Sequence, residues 1–428
     1  FPYTTLFRSV QSQIQEIVVV VGHKKEVIQA ILKDRVSYAV QSDQLGTAHA
    51  CLMAKQLLEN KSGKTIILPG DMPLITEEII TKAMARHTYL RHDITIVSAE
   101  VVHPFGYGRI VRDTDGIVEC IVEENDATSL QKQIKEINTG VYVVDTGLLF
   151  QMLKKIDNKN TKSEYYLTDI VKIMRDEGYV IGTYHVEDAS LTTGVNDLYA
   201  LSVVEARMRL NINRKHMLDG TQMINPETIT IGEDVVIEPG VTIYPNTYVT
   251  GQSVLKKGAR VGPHTEIHDS VIGENVWCRH SLVYESVVHK NSVIGPFAHL
   301  RDGAEIGPNN RIGNFVEIKK TTTGEDTKAA HLAYIGDAEI GNHVNFGCGS
   351  ITVNYDGKVK HKTIIGNNAF IGCNTNLIAP IILEEDSYTA AGSTVTKFVP
   401  KGSLAIARAN QVNKEDYFQK KNGNKKSE

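Results

Sequence analysis

Ile231-Gly-Glu-Asp-Val-Val-Ile237-Glu-Pro-Gly-Val-Thr-Ile243 carries an aliphatic side chain at every sixth residue, and Val249, Leu255, Val261 and Ile267 keep the step without a slip. A six-residue period suits neither the 3.6-residue turn of a helix nor the two-residue alternation of a simple strand. It is the hexapeptide repeat of a parallel β-helix, in which three hexads close one triangular coil. The aliphatics stack inward as one column, and glycines and small residues turn the corners. Val271, Trp277 and Val283 read as the next inward positions after a shift of phase. Ile306, Ile312 and Ile318 resume the period, and Ile365, Ile371, Leu377 and Leu383 close it. Between Lys319 and His331 the hexads break, which predicts a polar excursion from the scaffold, a usual place for function. The flat faces of such a prism need covering, and the expected assembly, by analogy of fold, is a homotrimer.

The rest of the composition bounds the reading. A chain of 428 residues exceeds one ordinary core, so two domains are expected. With 46 Lys+Arg against 50 Asp+Glu the net charge is −4, and no basic field argues for nucleic acid. Five scattered cysteines without a CxxC pair read as reduced thiols of a cytoplasmic protein. No apolar run reaches the length of a membrane span. Residues 1–9 read as a non-native leader, and the Lys-rich stretch 413–428 as a mobile tail.

Ahead of the repeat the pattern is different. The run 17–21 predicts a buried parallel strand, with further strands over 36–40, 65–68, 94–97 and 141–144. Helices are predicted over 24–33, 48–59 and 77–87 and after Asp169. Alternating strands and helices argue for an open α/β sheet with ligands at the carboxyl ends of its strands. Asp71 sits at such an end, where a carboxylate either helps to hold Mg²⁺ or caps the following helix. Leu198, Leu201, Val204, Met208 and Ile212 predict a helix that bridges the two halves or packs on the first. The expected organisation is a first domain over 10–196, a linker helix over 197–223 and a β-helix over 224–412.

The ordered set QxxQLGTAHA, GDxPLIT, GYGR, VEExDA, EINTG, EYYLTD and GVND resembles the uridylyltransferase half of bacterial bifunctional N-acetylglucosamine-1-phosphate uridyltransferase/glucosamine-1-phosphate acetyltransferases. The resemblance implies an α/β nucleotidyltransferase-like, Rossmann-type domain followed by a left-handed parallel β-helix of hexapeptide repeats. It implies UTP as co-substrate, with uridine contacts at Gln41, Gly46 and Thr47, sugar contacts at Gly108, Glu123, Asn138 and Asn196, and Mg²⁺ at Asp71 and Asn196. The family opens with a strand and a glycine-rich GxGTRM loop followed by lysine, a cradle for the triphosphate. Nothing in residues 1–20 matches it, so weak uridylyl transfer is expected of this chain and full activity of the intact parent.

GNFVEIKK (313–320), HLAYIGDAEIG (331–341), ITVNYDG (351–357) and AAGSTVT (390–396) extend the resemblance to the acetyltransferase half. Transfer of acetyl to an amine needs a base that titrates near neutrality, and His331 suits that. A sugar phosphate calls for cations such as Arg301 and Lys319. An oxyanion calls for a preset N–H, for which the Gly347-Cys-Gly349 corner is a candidate. The resemblance implies His331 as general base. It further implies contacts to glucosamine-1-phosphate at Arg301, Lys319, Tyr334 and Asn345, and to acetyl-CoA at Cys348, Asn354, Tyr355, Cys373, Ala391 and Arg408. Glu317 either orients His331 or the amine, or pairs with Lys319. The competing reading is a nucleotide-sugar pyrophosphorylase whose β-helix only trimerises.

Overall fold

The computed structural model describes residues 14–422; the leader over 1–9 and the first residues of the domain begun at 10 lie outside them. The chain forms two compact units, Phe1–Glu205 and Ala206–Glu428.

The first unit is built on a six-stranded mixed sheet, with Glu136–Asp145 as its long central member. That strand runs antiparallel to Lys64–Ile67, Ile94–Glu100 and Gly108–Arg112; among the described residues of this sheet only Ile94–Glu100 and Ile181–Val186 pair in parallel. The simple alternation expected from sequence is therefore interrupted. Gly108–Arg112 and Val118–Val122 are joined by a tight turn closed by an Asp113 N–H to Ile117 O bond. So short a connection joins only antiparallel neighbours. Val18–Val21 pairs in parallel with Ser37–Val40 as a separate two-stranded sheet, and it is half-buried rather than buried. The helix expected over 48–59 divides into Thr47–Met53 and Lys55–Leu58 at Ala54, whose N–H bonds to Cys51 O in a tighter turn. Glu77–Tyr89 is capped by Thr76, whose hydroxyl accepts from Ile79 N–H.

Helix Leu198–Leu218 crosses the boundary between the units. Its apolar spacing does not form one buried stripe: Leu198 is 83% exposed, whereas Val204 is buried and Ile212 packs against the β-helix column. Buried Asn213 donates to Pro226 O (2.7 Å) and Ile229 O (2.9 Å), fixing the chain where the repeat begins. Among the described residues no helix is long and apolar enough to cross a membrane. Within the stretch expected to be a mobile tail, Tyr417–Asn422 forms an exposed helical turn, and 423–428 lies outside the described residues.

The second unit is the left-handed parallel β-helix. Each strand pairs in parallel with the strand one coil later, as in Ile231↔Val249, Ile237↔Leu255 and Ile243↔Val261. Three inward rows result, and their side chains form a single buried column. Two expectations about those rows need correction. Val271 and Trp277 point outward; the buried residues are Ile272 and Cys278, because this coil is shorter and the register sets Leu255 against Ile272 and Val261 against Cys278. Nor does the repeat break between Lys319 and His331. Thr322–Thr323 pairs onward with Glu339–Ile340, and Lys328–Gly336 pairs along Arg311–Lys319. The pattern is hidden because Thr323 takes an aliphatic's place between Ile306 and Ile340. Its hydroxyl is satisfied inside, accepting from Gly307 N–H (3.0 Å) and Asn310 Nδ2 (2.6 Å). The coil that does swell is the next but one, where the register jumps from Ile351 to Asn376 and Tyr355 bridges Lys360 across a surface loop.

Candidate active sites

In the first unit two loops are sewn together. Leu45 O accepts from Tyr165 N–H (2.8 Å), Tyr165 O accepts from Ala48 N–H (2.9 Å), and Thr47 Oγ1 accepts from Leu167 N–H (3.0 Å). Gly46 sits at φ +114°, and a Cβ there would lie 2.5 Å from Tyr165 O, so only glycine permits the seam. Gln41 braces it by donating to Gly46 O (3.1 Å), and its amide lies 3.0 Å from His49 Nδ1.

Beside this seam opens a cleft of about 1400 Å³ lined by Thr47, Asp71, Gly108, Glu123, Asn138 and Asn196. Gln41 and Gly46 are not among its lining residues. Gly108 lies beside both Glu123 and Asn138: a Cβ there would stand 3.6 Å from each in ordinary contact, and 3.0 Å from Ile121 Cγ2, its tightest neighbour. Asn138 donates to Tyr142 Oη (2.8 Å), and Thr168 Oγ1 donates to Glu123 Oε1 (3.0 Å). Burial holds the Glu123 carboxyl above the usual carboxylate range. At the other end, the Asp71 carboxylate and the Asn196 carboxamide converge over bare Gly194, 2.9 and 3.9 Å from where its Cβ would be.

On the β-helix, Arg301, Lys319 and Tyr334 share one outer face, on consecutive coils. Glu317 belongs to this face but pairs with Arg301 (2.7 Å), not with Lys319; Lys319 is 3.4 Å from Asp302, which also meets Arg301 at 3.1 Å. Tyr334 lies across Gly336, and its hydroxyl accepts from Asn354 Nδ2 (3.3 Å), which also donates to Asp337 Oδ2 (2.5 Å). Asn354 is thereby buried as a brace, whereas Tyr355 beyond it is exposed. The loop that follows brings Lys360 beside Lys319, and that neighbouring ammonium holds Lys360 below the ordinary lysine range.

His331 stands at the corner leading onto this face. Its Nδ1 is 3.0 Å from Asn314 Oδ1 on the preceding coil. The register Ala329↔Phe346 before it and Tyr334↔Ile351 after it sets Cys348 opposite His331 on the following coil. Cys373 and Ala391 continue the row. Of the corner's N–H groups, Gly347 is bonded to Ile371 O (2.7 Å) and Gly349 to Leu332 O (2.6 Å), which removes both as oxyanion donors and leaves Cys348. Asn345 lies on the neighbouring face, between Lys328 and Phe370, and a single chain does not bring it to Tyr334. Arg408 is exposed beyond the last strand, Leu404–Ala405.

Residues 2–198 match the nucleotidyl transferase family, and residues 285–320 match the bacterial transferase hexapeptide family of six repeats. Over 95% of its length the chain is 56% identical to the bifunctional protein GlmU of Acholeplasma laidlawii, covering 88% of that protein. It is 48% identical to the GlmU of Halalkalibacterium halodurans, over 95% of this chain and 90% of the relative. The GlmU of Clostridium acetobutylicum is 47% identical, over 96% and 90% respectively. The chain belongs to the bifunctional GlmU family. It is an enzyme, a transferase with a nucleotidyltransferase unit and a hexapeptide-repeat acyltransferase unit. Asn314, Asp337 and Thr168 hold other site residues in place and Lys360 stands beside Lys319, and none of the four stands out in the sequence. Asn314 and Asp337 lie within quoted motifs, but their partners are one coil away, and only the coil register reveals them.

Proposed function

We propose that the β-helix transfers acetyl from acetyl-CoA to the amine of glucosamine-1-phosphate, and that the first unit transfers uridylyl from UTP to N-acetylglucosamine-1-phosphate. The observation that supports the first reading most is His331 held by Asn314 at the edge of a face carrying Arg301, Lys319, Lys360 and Tyr334. Asn314 Oδ1 accepts the Nδ1 proton, which leaves Nε2 with the lone pair. Nε2 takes the amine proton as the amine attacks the thioester carbon, and the C–S bond then breaks to release CoA. Cys348 N–H is the donor for the oxyanion. Two ammonium groups side by side repel each other unless an anion sits between them, so Lys319 and Lys360, with Arg301, form the seat of the sugar phosphate. Exposed Tyr355, the row Cys348, Cys373 and Ala391, and Arg408 receive acetyl-CoA.

In the first unit Gln41, Gly46 and Thr47 hold uridine, and Gly108, Glu123, Asn138 and Asn196 hold the sugar. The Asp71 carboxylate over Gly194 suits Mg²⁺, which takes one or two protein oxygens and completes its shell with phosphate and water, and Asn196 would add its Oδ1 with the carboxamide turned so that Nδ2, now the nearer atom, faces away. When bound, the ion would neutralise charge on the transferring phosphate. The chain's own residues orient the sugar and position its phosphate for attack.

Asn345 on the face beside the Tyr334 group fits a cytoplasmic homotrimer in which a neighbouring copy completes the acetyl site. His331→Ala tests the main reading. Acetyl transfer should fall by a factor of about 10² or more while uridylyl transfer is unchanged. An unchanged acetyl rate would favour a β-helix that only assembles the enzyme.

A further inference from the structure

We propose that Cys348 and Cys373 form a modification site for low-molecular-weight disulfides, closing into a cross-coil disulfide beside His331. Both thiols are exposed and unpaired. They lie on adjacent coils, and the ladder continues through the corner that carries them. Gly347 N–H bonds to Ile371 O (2.7 Å) and Asn374 N–H to Cys348 O (2.8 Å), so Cys348 and Cys373 stand directly opposite each other. Neighbouring strands run about 4.8 Å apart. That separation lies within the Cα–Cα range found in disulfides.

The three other cysteines offer no such pairing. Cys51 is inside the first unit, with its thiol pushed up to about 12 by burial, and Cys278 is sealed in the β-helix column. Cys120 lies on strand Val118–Val122, also in the first unit.

The chemistry is thiol–disulfide exchange. One thiol loses its proton, and its thiolate attacks a sulfur of the small disulfide and expels one thiolate. The second cysteine, deprotonated in turn, attacks the protein-bound sulfur and expels the other. The protein loses two electrons and two protons, and two small thiols are formed. The new bond lies along the row that runs from Asn314 through His331 to Ala391. Its effect on rate rests on the acetyltransferase reading: a rigid S–S bridge would occupy the ground assigned to the thioester and fix the corner that offers Cys348 N–H.

The full chain is equilibrated with excess oxidised glutathione, remaining thiols are alkylated, and the digest is mapped by mass spectrometry. A Cys348–Cys373 linked peptide pair is expected, reversed by dithiothreitol. The acetyl rate should drop at least tenfold on oxidation and recover on reduction. Cys348→Ser and Cys373→Ser should each lose the linked pair and retain a single glutathione adduct on the remaining cysteine, each variant compared with its own reduced rate. Free thiols at both positions, or two separate adducts without a link, would overturn the site. A linked chain that keeps its full rate would overturn the blockade. A reduced chain without acetyl transfer would instead sink the functional reading, and the peptide map would still decide the disulfide.

Discussion

Asn314→Ala is the perturbation that bears most directly on how the β-helix does chemistry. It removes a single acceptor, 3.0 Å from His331 Nδ1, and leaves the histidine in place. A hydrogen bond of this kind contributes about 0.5–1.5 kcal/mol net. At about 1.4 kcal/mol per tenfold, that is a factor of roughly two to twelve in rate. His331 is exposed, so water competes for the same proton and the lower half of that range is expected. The loss should fall on kcat, since Asn314 is assigned no contact with either substrate. The assay is CoA release from acetyl-CoA in the presence of glucosamine-1-phosphate, run on the parent, Asn314→Ala, His331→Ala and the double variant. Because Asn314 acts through His331, its removal should cost nothing further once His331 is gone. If Asn314→Ala lowers the rate by the same factor in the His331→Ala background, the orientation argument is wrong.

Two further outcomes follow from a buried hydroxyl and a half-buried carboxyl. Thr323→Val should destabilise the β-helix by about 1–3 kcal/mol, although it restores the aliphatic period, because it strands Gly307 N–H and Asn310 Nδ2. Urea unfolding showing a variant as stable as the parent would refute the account of the hidden coil. Burial, reinforced by Asp157, Glu123 and Asp126, raises the Asp169 carboxyl to about 6. A carboxyl raised on folding binds its proton more tightly in the folded state, so stability falls as pH rises from about 4 to about 6. Asp169→Asn should flatten that fall in thermal unfolding across the window; an unchanged slope would contradict it.

How much of this was legible in the sequence depended on whether a residue's environment is local. From Ile231 to Ile267 the inward row is a property of spacing alone, and the structure buries every one of those residues. At Trp277 the same spacing misled, because a shortened coil moves the inward place to Cys278, and only the ladder register reports coil length. Thr321, Thr323 and Thr327 looked like a polar loop, since sequence cannot distinguish a solvated threonine from one whose hydroxyl bonds an inner carbonyl or a buried asparagine. In the first unit the glycines were legible as loop residues but not for their role. Gly46 permits the approach of Tyr165, a residue more than a hundred positions away.

The same distinction explains where the proposed acetyl site lies. In a β-helix each outward position recurs on the next coil, so a row of side chains is assembled from residues far apart in sequence but one strand apart in space. Asn314, His331, Cys348 and Cys373 form such a row, and each is an ordinary surface residue within its own hexad. Arg301, Lys319 and Gly336 form another, and the missing side chain at Gly336 makes room for Tyr334. The swollen coil after Ile351 then adds what a flat face lacks, a loop that folds Asn354 inward against Tyr334 and carries Lys360 back to Lys319. The scaffold therefore supplies the alignment and one loop supplies the enclosure. The enclosing loop is not the polar stretch before His331 but the one that follows it.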